Sequence, residues 1–111
     1  MTPVQKLIGD FAPKLDELTD EVLFGDVWER PGLPPRDHSL ITVATLAALY
    51  RTEQLGSHPR RALENGLSQD ELAEAITHLA FYAGWPNVMS AITQLKDIVE
   101  TEAGAQVTGS E

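Results

Sequence analysis

The chain has 111 residues, room for one domain and no more, and its 42% hydrophobic and 23% charged residues make a globular balance. Eight Lys and Arg against seventeen Asp and Glu leave a net charge of −9, a field that repels phosphate backbones and anionic lipid headgroups, so neither nucleic acid nor a membrane surface is expected as a partner. Cysteine is absent, which excludes disulfides, thiolate metal sites and thiol redox chemistry within this chain.

Apolar residues recur at three- and four-residue spacing without sustained alternation, which predicts an all-helical single domain over 1–111. A first helix is expected over 3–23, with Leu7, Phe11, Leu15, Leu18 and Val22 on one stripe and a break near Pro13. The loop Gly25 to Pro35 carries Trp28 and Arg30. A second helix is expected from Pro35 to Arg51; its stretch Leu40 to Tyr50 is apolar on every face, as in a helix surrounded by protein. That run is about half of what a bilayer crossing needs, and no basic segment followed by an apolar one opens the chain, so a cytoplasmic protein is expected.

A third helix is expected over 52–65, kinked at Pro59 and closed by Gly66 in a left-handed cap. Ser68-Gln-Asp-Glu71 reads as a capping box opening a fourth helix, whose core face would hold Leu72, Ala75, Ile76, Leu79 and Ala83, with Phe81 on the opposite side. The break at Ala83-Gly-Trp-Pro86 introduces a last helix over 86–102, with Val88, Met89, Ile92, Leu95 and Val99 inward, and about 104–111 form a flexible tail. The apolar surface of helix 35–51 and of the region around Phe81 exceeds what a small monomer hides, so a homo-oligomer is expected, a trimer or hexamer.

Three histidines, His38, His58 and His78, could carry proton chemistry near neutral pH. None has a second His one turn away, so no metal site is expected. His38, in a first turn, reads as an exposed polar residue. His58 follows Arg51 and Leu55 on one helix stripe, with Gln54 one turn before it, which gathers a guanidinium, an amide and an imidazole; a solvated helix face is the plainer reading of the same spacing. His78 lies one turn before Tyr82 and two before Trp85, either as a hydrogen-bonded core histidine or as a second acid–base candidate. Phosphate-binding glycine loops and a nucleophile elbow are absent.

The stretch Gly25-Asp-Val-Trp-Glu-Arg-Pro-Gly-Leu-Pro34, then Ser39-Leu-Ile-Thr42, Glu53-Gln-Leu55 with His58, Glu64-Asn-Gly66 and His78-Leu-Ala-Phe-Tyr82-Ala-Gly-Trp-Pro86 resembles the gamma-carboxymuconolactone decarboxylase family over about Phe24 to Ile98. The resemblance implies an all-helical AhpD-like fold assembled into compact oligomers, commonly hexamers. AhpD-like peroxidases of the same superfamily carry a Glu followed by C-x-x-C-x-x-x-H; here Ser39 replaces the Glu, Arg51 and Gln54 replace the cysteines, and only His58 remains, so that peroxidase chemistry is excluded. Pro59, after His58, departs from the family pattern.

By this resemblance the chain is a cofactor-free lyase that removes CO2 from a small carboxylated lactone or related acid. His58, His78 and Arg51 are the expected catalytic residues, and Trp28, Arg30, Gln54, Tyr82 and Trp85 the expected substrate-binding ones. His58 would serve as acid or oxyanion donor, and Arg51 or Arg30 would hold the carboxylate that remains. Two further classes stay open on the sequence: a proton-transfer isomerase or cyclase using the same His, and an oligomer that binds a small molecule without turnover.

Overall fold

The computed structural model of the protein describes residues 3–51 and 53–109, and all regular elements among them are helices. They fall into two compact units, Met1–Pro35 and Arg36–Glu111.

In the first unit, α1 (Pro3–Ile8) and α2 (Pro13–Glu17) are followed by a π-helical segment (Leu18–Phe24) and a 3-10 turn (Val27–Glu29). The expected long helix is thus divided where Pro13 stands. The Ile8 carbonyl accepts the N–H groups of Phe11 and Ala12 at 3.0 and 2.6 Å, and Pro13, lacking an N–H, opens the next helix where none is needed. Gly25 ends the π-helical segment at a close approach: a Cβ there would sit 2.7 Å from the Glu21 carbonyl oxygen. The expected stripe of Leu7, Phe11, Leu15, Leu18 and Val22 is not buried, with Phe11 94% exposed.

The second unit holds α3 (Pro35–Ala48), α4 (His58–Glu64), α5 (Gln69–Ala83) and α6 (Trp85–Gly109). α3 ends three residues before the expected Arg51. Its last turn closes by two bonds, Tyr50 N–H to the Ala47 carbonyl (3.2 Å) and Arg51 N–H to the Leu46 carbonyl (2.8 Å), with Tyr50 left-handed at φ 59°. α4 closes in the same pattern, Gly66 N–H to Leu63 (3.1 Å) and Leu67 N–H to Ala62 (3.0 Å), with Gly66 at φ 106° as the sequence indicated.

Regular α4 begins at His58. Thr52, the expected start of this helix, lies outside the described residues. Residues 53–57 form turns, and Pro59 is the second residue of α4, so it starts the helix rather than kinking it. α5 opens with the expected capping box: Glu71 N–H donates to Ser68 Oγ at 3.0 Å, and Ser68 N–H donates to Glu71 Oε1 at 2.9 Å. α6 begins at Trp85 and continues past the expected end to Gly109; residues 110 and 111 of the expected tail lie outside the described residues.

The core is built around the α5 and α6 pair. α5 contributes Leu72, Ile76 and Ala80, α6 contributes Val88, Ala91 and Leu95, and Val43, Ala47, Leu55, Ala62 and Leu67 complete it. Of the expected α5 face, Leu79 packs from the edge, and the interior position falls to Ala80, one turn beyond Ile76. On α6 the buried row is Val88, Ala91, Leu95 and Ile98; Ile92 and Val99 flank it, and Met89, expected inward, is exposed. Three polar links fix α3 in this frame. Asn87 Nδ2 donates to the Ala48 carbonyl at 2.9 Å, Asn65 Nδ2 donates to the fully buried Ser39 Oγ at 2.8 Å, and the Arg36 guanidinium pairs with Glu71.

Gly66→Ala is expected to destabilise the fold by about 1–2 kcal/mol through the backbone alone, since a Cβ there meets nothing within 4 Å. Urea unfolding of the variant, with an unchanged m-value, checks this.

Candidate functional site

His58 stands where irregular chain becomes helix. Leu55, 1% exposed, pins the preceding turns to the core, and the His58 N–H donates to the Gln54 carbonyl at 3.4 Å. Within α4 the buried residues are Pro59 and Ala62. At about 100° per residue His58 lies on the flank of that buried stripe, and its imidazole is half-buried. Arg61, one turn on, lies further out on the same flank and is exposed.

Burial, and after it the positive charge of Arg61, hold the His58 imidazole below its ordinary pKa. The side chain is therefore neutral at pH 7, able to donate one hydrogen bond and accept another.

Arg51 and Gln54 belong to the turns before α4, tied by bonds from Gln54 N–H and Leu55 N–H to the Arg51 carbonyl at 3.1 and 3.2 Å. Both side chains are exposed. The expected helical stripe of Arg51, Leu55 and His58 is thus not a stripe of one helix: Leu55 points into the core, Arg51 lies towards solvent, and His58 is half-buried.

His78 is on α5 and exposed, not in the core. Its ring lies against Tyr82, centroids 5.1 Å apart and tilted by 31°. Phe81 meets the edge of Trp85 at 5.9 Å, so the α5–α6 corner presents four rings, with Phe81 and Tyr82 77% and 79% exposed. In the first unit Trp28 packs on Phe24 at 5.7 Å, and Arg30 follows the 3-10 turn with its side chain exposed. His38 is half-buried rather than exposed.

Two residues acquire significance only in the structure. Arg61 faces the His58 side of α4, where spacing alone had favoured Arg51. Ser39, which carries no nucleophile pattern, is a buried hydroxyl held by Asn65 at the end of α4. Among the described residues no group of three His, Cys, Asp or Glu is placed to hold a metal ion, and no helix is long and apolar enough to cross a membrane.

Residues 13–97 match the model of the carboxymuconolactone decarboxylase family. The chain belongs to this family. It is 37% identical over 91 residues to 4-carboxymuconolactone decarboxylase of Acinetobacter baylyi, covering 82% of this chain and 68% of that protein. It is 38% identical over 88 residues to a nitrosuccinic acid decarboxylase of Metarhizium robertsii, covering 76% of this chain and 62% of the relative. The family member thus spans about two-thirds of the length of each of these two relatives.

A histidine with this environment is expected to titrate below 6.5 in the folded chain, as followed by the ring proton shifts of His58. Because the unfolded chain then binds more protons below pH 6.5, His58 should lower folding stability as pH falls from 6.5 through the folded pKa. Replacing it with Gln should remove that part of the acid sensitivity.

Proposed function

We propose that the protein is a cofactor-free decarboxylase of a small di-acid, with His58 as the central polar group of its site. The observation that carries this reading is the half-buried imidazole, held neutral at the start of α4 beside a guanidinium. The names of the two relatives supply the reaction class.

Both named substrates contain their own electron sink. In a carboxymuconolactone the carbon–carbon double bond links the departing carboxylate to the lactone carbonyl, and in nitrosuccinic acid the nitro group stands beside a carboxyl. Breaking the carbon–carboxylate bond releases CO2 and leaves the electron pair delocalised onto oxygen, as a dienolate or a nitronate. A proton then returns to carbon. The protein has to strip water from the leaving carboxylate, stabilise the oxygen that gains charge and control protonation.

A neutral imidazole is suited to stabilising that oxygen, because its N–H donates to the developing oxyanion and it needs no permanent charge to do so. The depressed pKa therefore favours His58 as oxyanion donor over His58 as a resident imidazolium acid. Arg51 and Gln54, in the turns before α4, are the polar groups for orienting substrate, and His78 with Tyr82 is the second acid–base candidate.

The assembly is proposed to be a homo-oligomer, trimer or hexamer. Support comes from the exposed Phe81, Tyr82, Trp85 and Met89 at the α5–α6 corner and from Leu49 and Tyr50 at the end of α3, which Asn87 bonds to the start of α6. Light scattering at micromolar concentration is expected to give three or six times 12.1 kDa; a mass of one chain would reject it.

His58→Gln keeps a polar side chain of similar reach. It is expected to retain fold and mass while decarboxylation of carboxymuconolactone, followed in the ultraviolet, falls by about 10² to 10⁴. His38→Gln should change the rate little. In the wild type kcat/KM should decline on the acid side below pH 6.5, where His58 takes up a proton. A rate unchanged in His58→Gln and lost in a folded His78 variant would move the site to α5.

A further inference from the structure

We propose that Arg61 is a substrate-binding residue of the His58 site, gripping the carboxylate that a dicarboxylic substrate keeps while the other is lost. The proposal rests on the decarboxylase reading above and adds a residue to it.

Helix geometry puts the two side chains on one edge. Pro59 and Ala62 face the core, and at 100° per residue His58 lies on one flank of them, with Arg61 next outward on that flank. An anion lying along this edge meets the imidazole on its half-buried side and the guanidinium on its exposed side. The two groups are near enough for the charge of Arg61 to act on the imidazole. Arg60 projects from nearly the opposite side of α4, 200° around from His58, so it does not share this edge.

Charge distribution points to the same place. The chain carries a net −9, yet Arg51, Arg60 and Arg61 are three of its eight Lys and Arg, and the turns and α4 together, 51–64, hold two acids, Glu53 and Glu64, so this segment stays net positive. A dianion is repelled by the bulk of the surface and attracted to this segment. Within it, Arg61 is the cation that shares a helix flank with His58, and a guanidinium offers a carboxylate two parallel hydrogen bonds that a lysine cannot.

The chemistry requires such a grip. If the retained carboxylate is fixed at the exposed end of the edge, the carboxylate that leaves is directed towards the drier side, where loss of hydration favours departure of CO2. Arg61 acts on binding and orientation and takes no proton.

The test compares Arg61→Gln with Arg60→Gln, which removes the same charge from the other side of the helix, and with Arg61→Lys, which keeps the charge without the fork. Succinate is the probe of binding, followed by the His58 ring signals, with butyrate as the monocarboxylate control. Carboxymuconolactone is the probe of turnover. Succinate is expected to shift the His58 signals of the wild type more strongly than butyrate. Arg61→Gln should weaken succinate binding about tenfold or more and raise KM similarly. Arg60→Gln, which removes an equal charge but leaves the guanidinium on the His58 flank, should lose several-fold less than Arg61→Gln, and Arg61→Lys should recover part of the loss.

Equal losses in Arg60→Gln and Arg61→Gln would reduce the effect to general charge and overturn the proposal, as would unaltered succinate binding and KM in Arg61→Gln. Turnover with an Arg61-independent KM rejects Arg61 while the decarboxylase reading stands. Arg61-dependent succinate binding without turnover of carboxymuconolactone or nitrosuccinate rejects that reading while the anion-binding edge stands.

Discussion

The burial of Leu55 constrains everything around His58. Between the end of α3 and the start of α4 the chain forms turns, and Leu55, 1% exposed, is the side chain that ties them to a core supplied by α3, α4, α5 and α6. Entry to these turns requires Tyr50 in the left-handed region, where a side chain costs about 1–2 kcal/mol that a glycine would not. Exit requires Pro59, whose fixed φ and missing N–H suit the first turn of a helix. At the far end of α4 the Asn65 amide holds the buried Ser39 hydroxyl of α3. The short helix that presents His58 is therefore fixed at both ends by interactions outside itself. A seven-residue helix has little stability of its own, so this fixation is what makes the position of the imidazole definite.

Two opposed demands meet at that imidazole. Burial penalises the charged form, and the Arg61 guanidinium adds a like-charge penalty, so both favour the neutral ring. The same guanidinium, with Arg51 and Arg60, makes a locally positive segment on a strongly acidic chain. An arriving carboxylate would offset the repulsion that Arg61 exerts on a proton at His58, so substrate binding should raise the pKa of the ring. Occupied and empty states of the site would then differ in proton affinity, a coupling that follows from charge alone.

Much of the fold was legible because its helix ends carry chemical signatures. Ser68 and Glu71 announce the capping box, Gly66 marks a left-handed cap, and Pro13 divides the first segment. The end of α3 left no such mark, since the left-handed position is occupied by Tyr50, and a sequence reading runs the helix on to Arg51. The expectation of a helix over residues 53–57, which form turns, has a related cause. Leu55 N–H bonds to the Arg51 carbonyl and His58 N–H to that of Gln54, both four residues apart, so these turns copy the spacing of a helix without being one. His58 itself stood out by type and by family position. Arg61 did not, because a helix over 52–65 also put Arg51 and Gln54 before His58 and these took the role; α4 beginning at His58 removes them from the helix and leaves Arg61 as its basic neighbour on that flank.

The exposed rings at the α5–α6 corner bear on the same chemistry. Within the second unit the large apolar side chains are divided between a core already filled by Leu55, Leu72, Ile76, Val43 and Leu95 and a surface group that includes Phe81, Tyr82, Trp85 and Met89. Decarboxylation by the proposed route needs water excluded from the leaving carboxylate, yet His58 is only half-buried and Arg51, Gln54 and Arg61 are exposed. The apolar interior of the second unit is taken up by the packing of α3 to α6. The proposed reaction needs a dry wall beside this half-buried ring, and in the proposed oligomer association would hide the exposed rings of the α5–α6 corner. If the proposed assembly and the proposed reaction both hold, desolvation links them: dilution to single subunits would weaken the reaction without altering any residue that touches substrate.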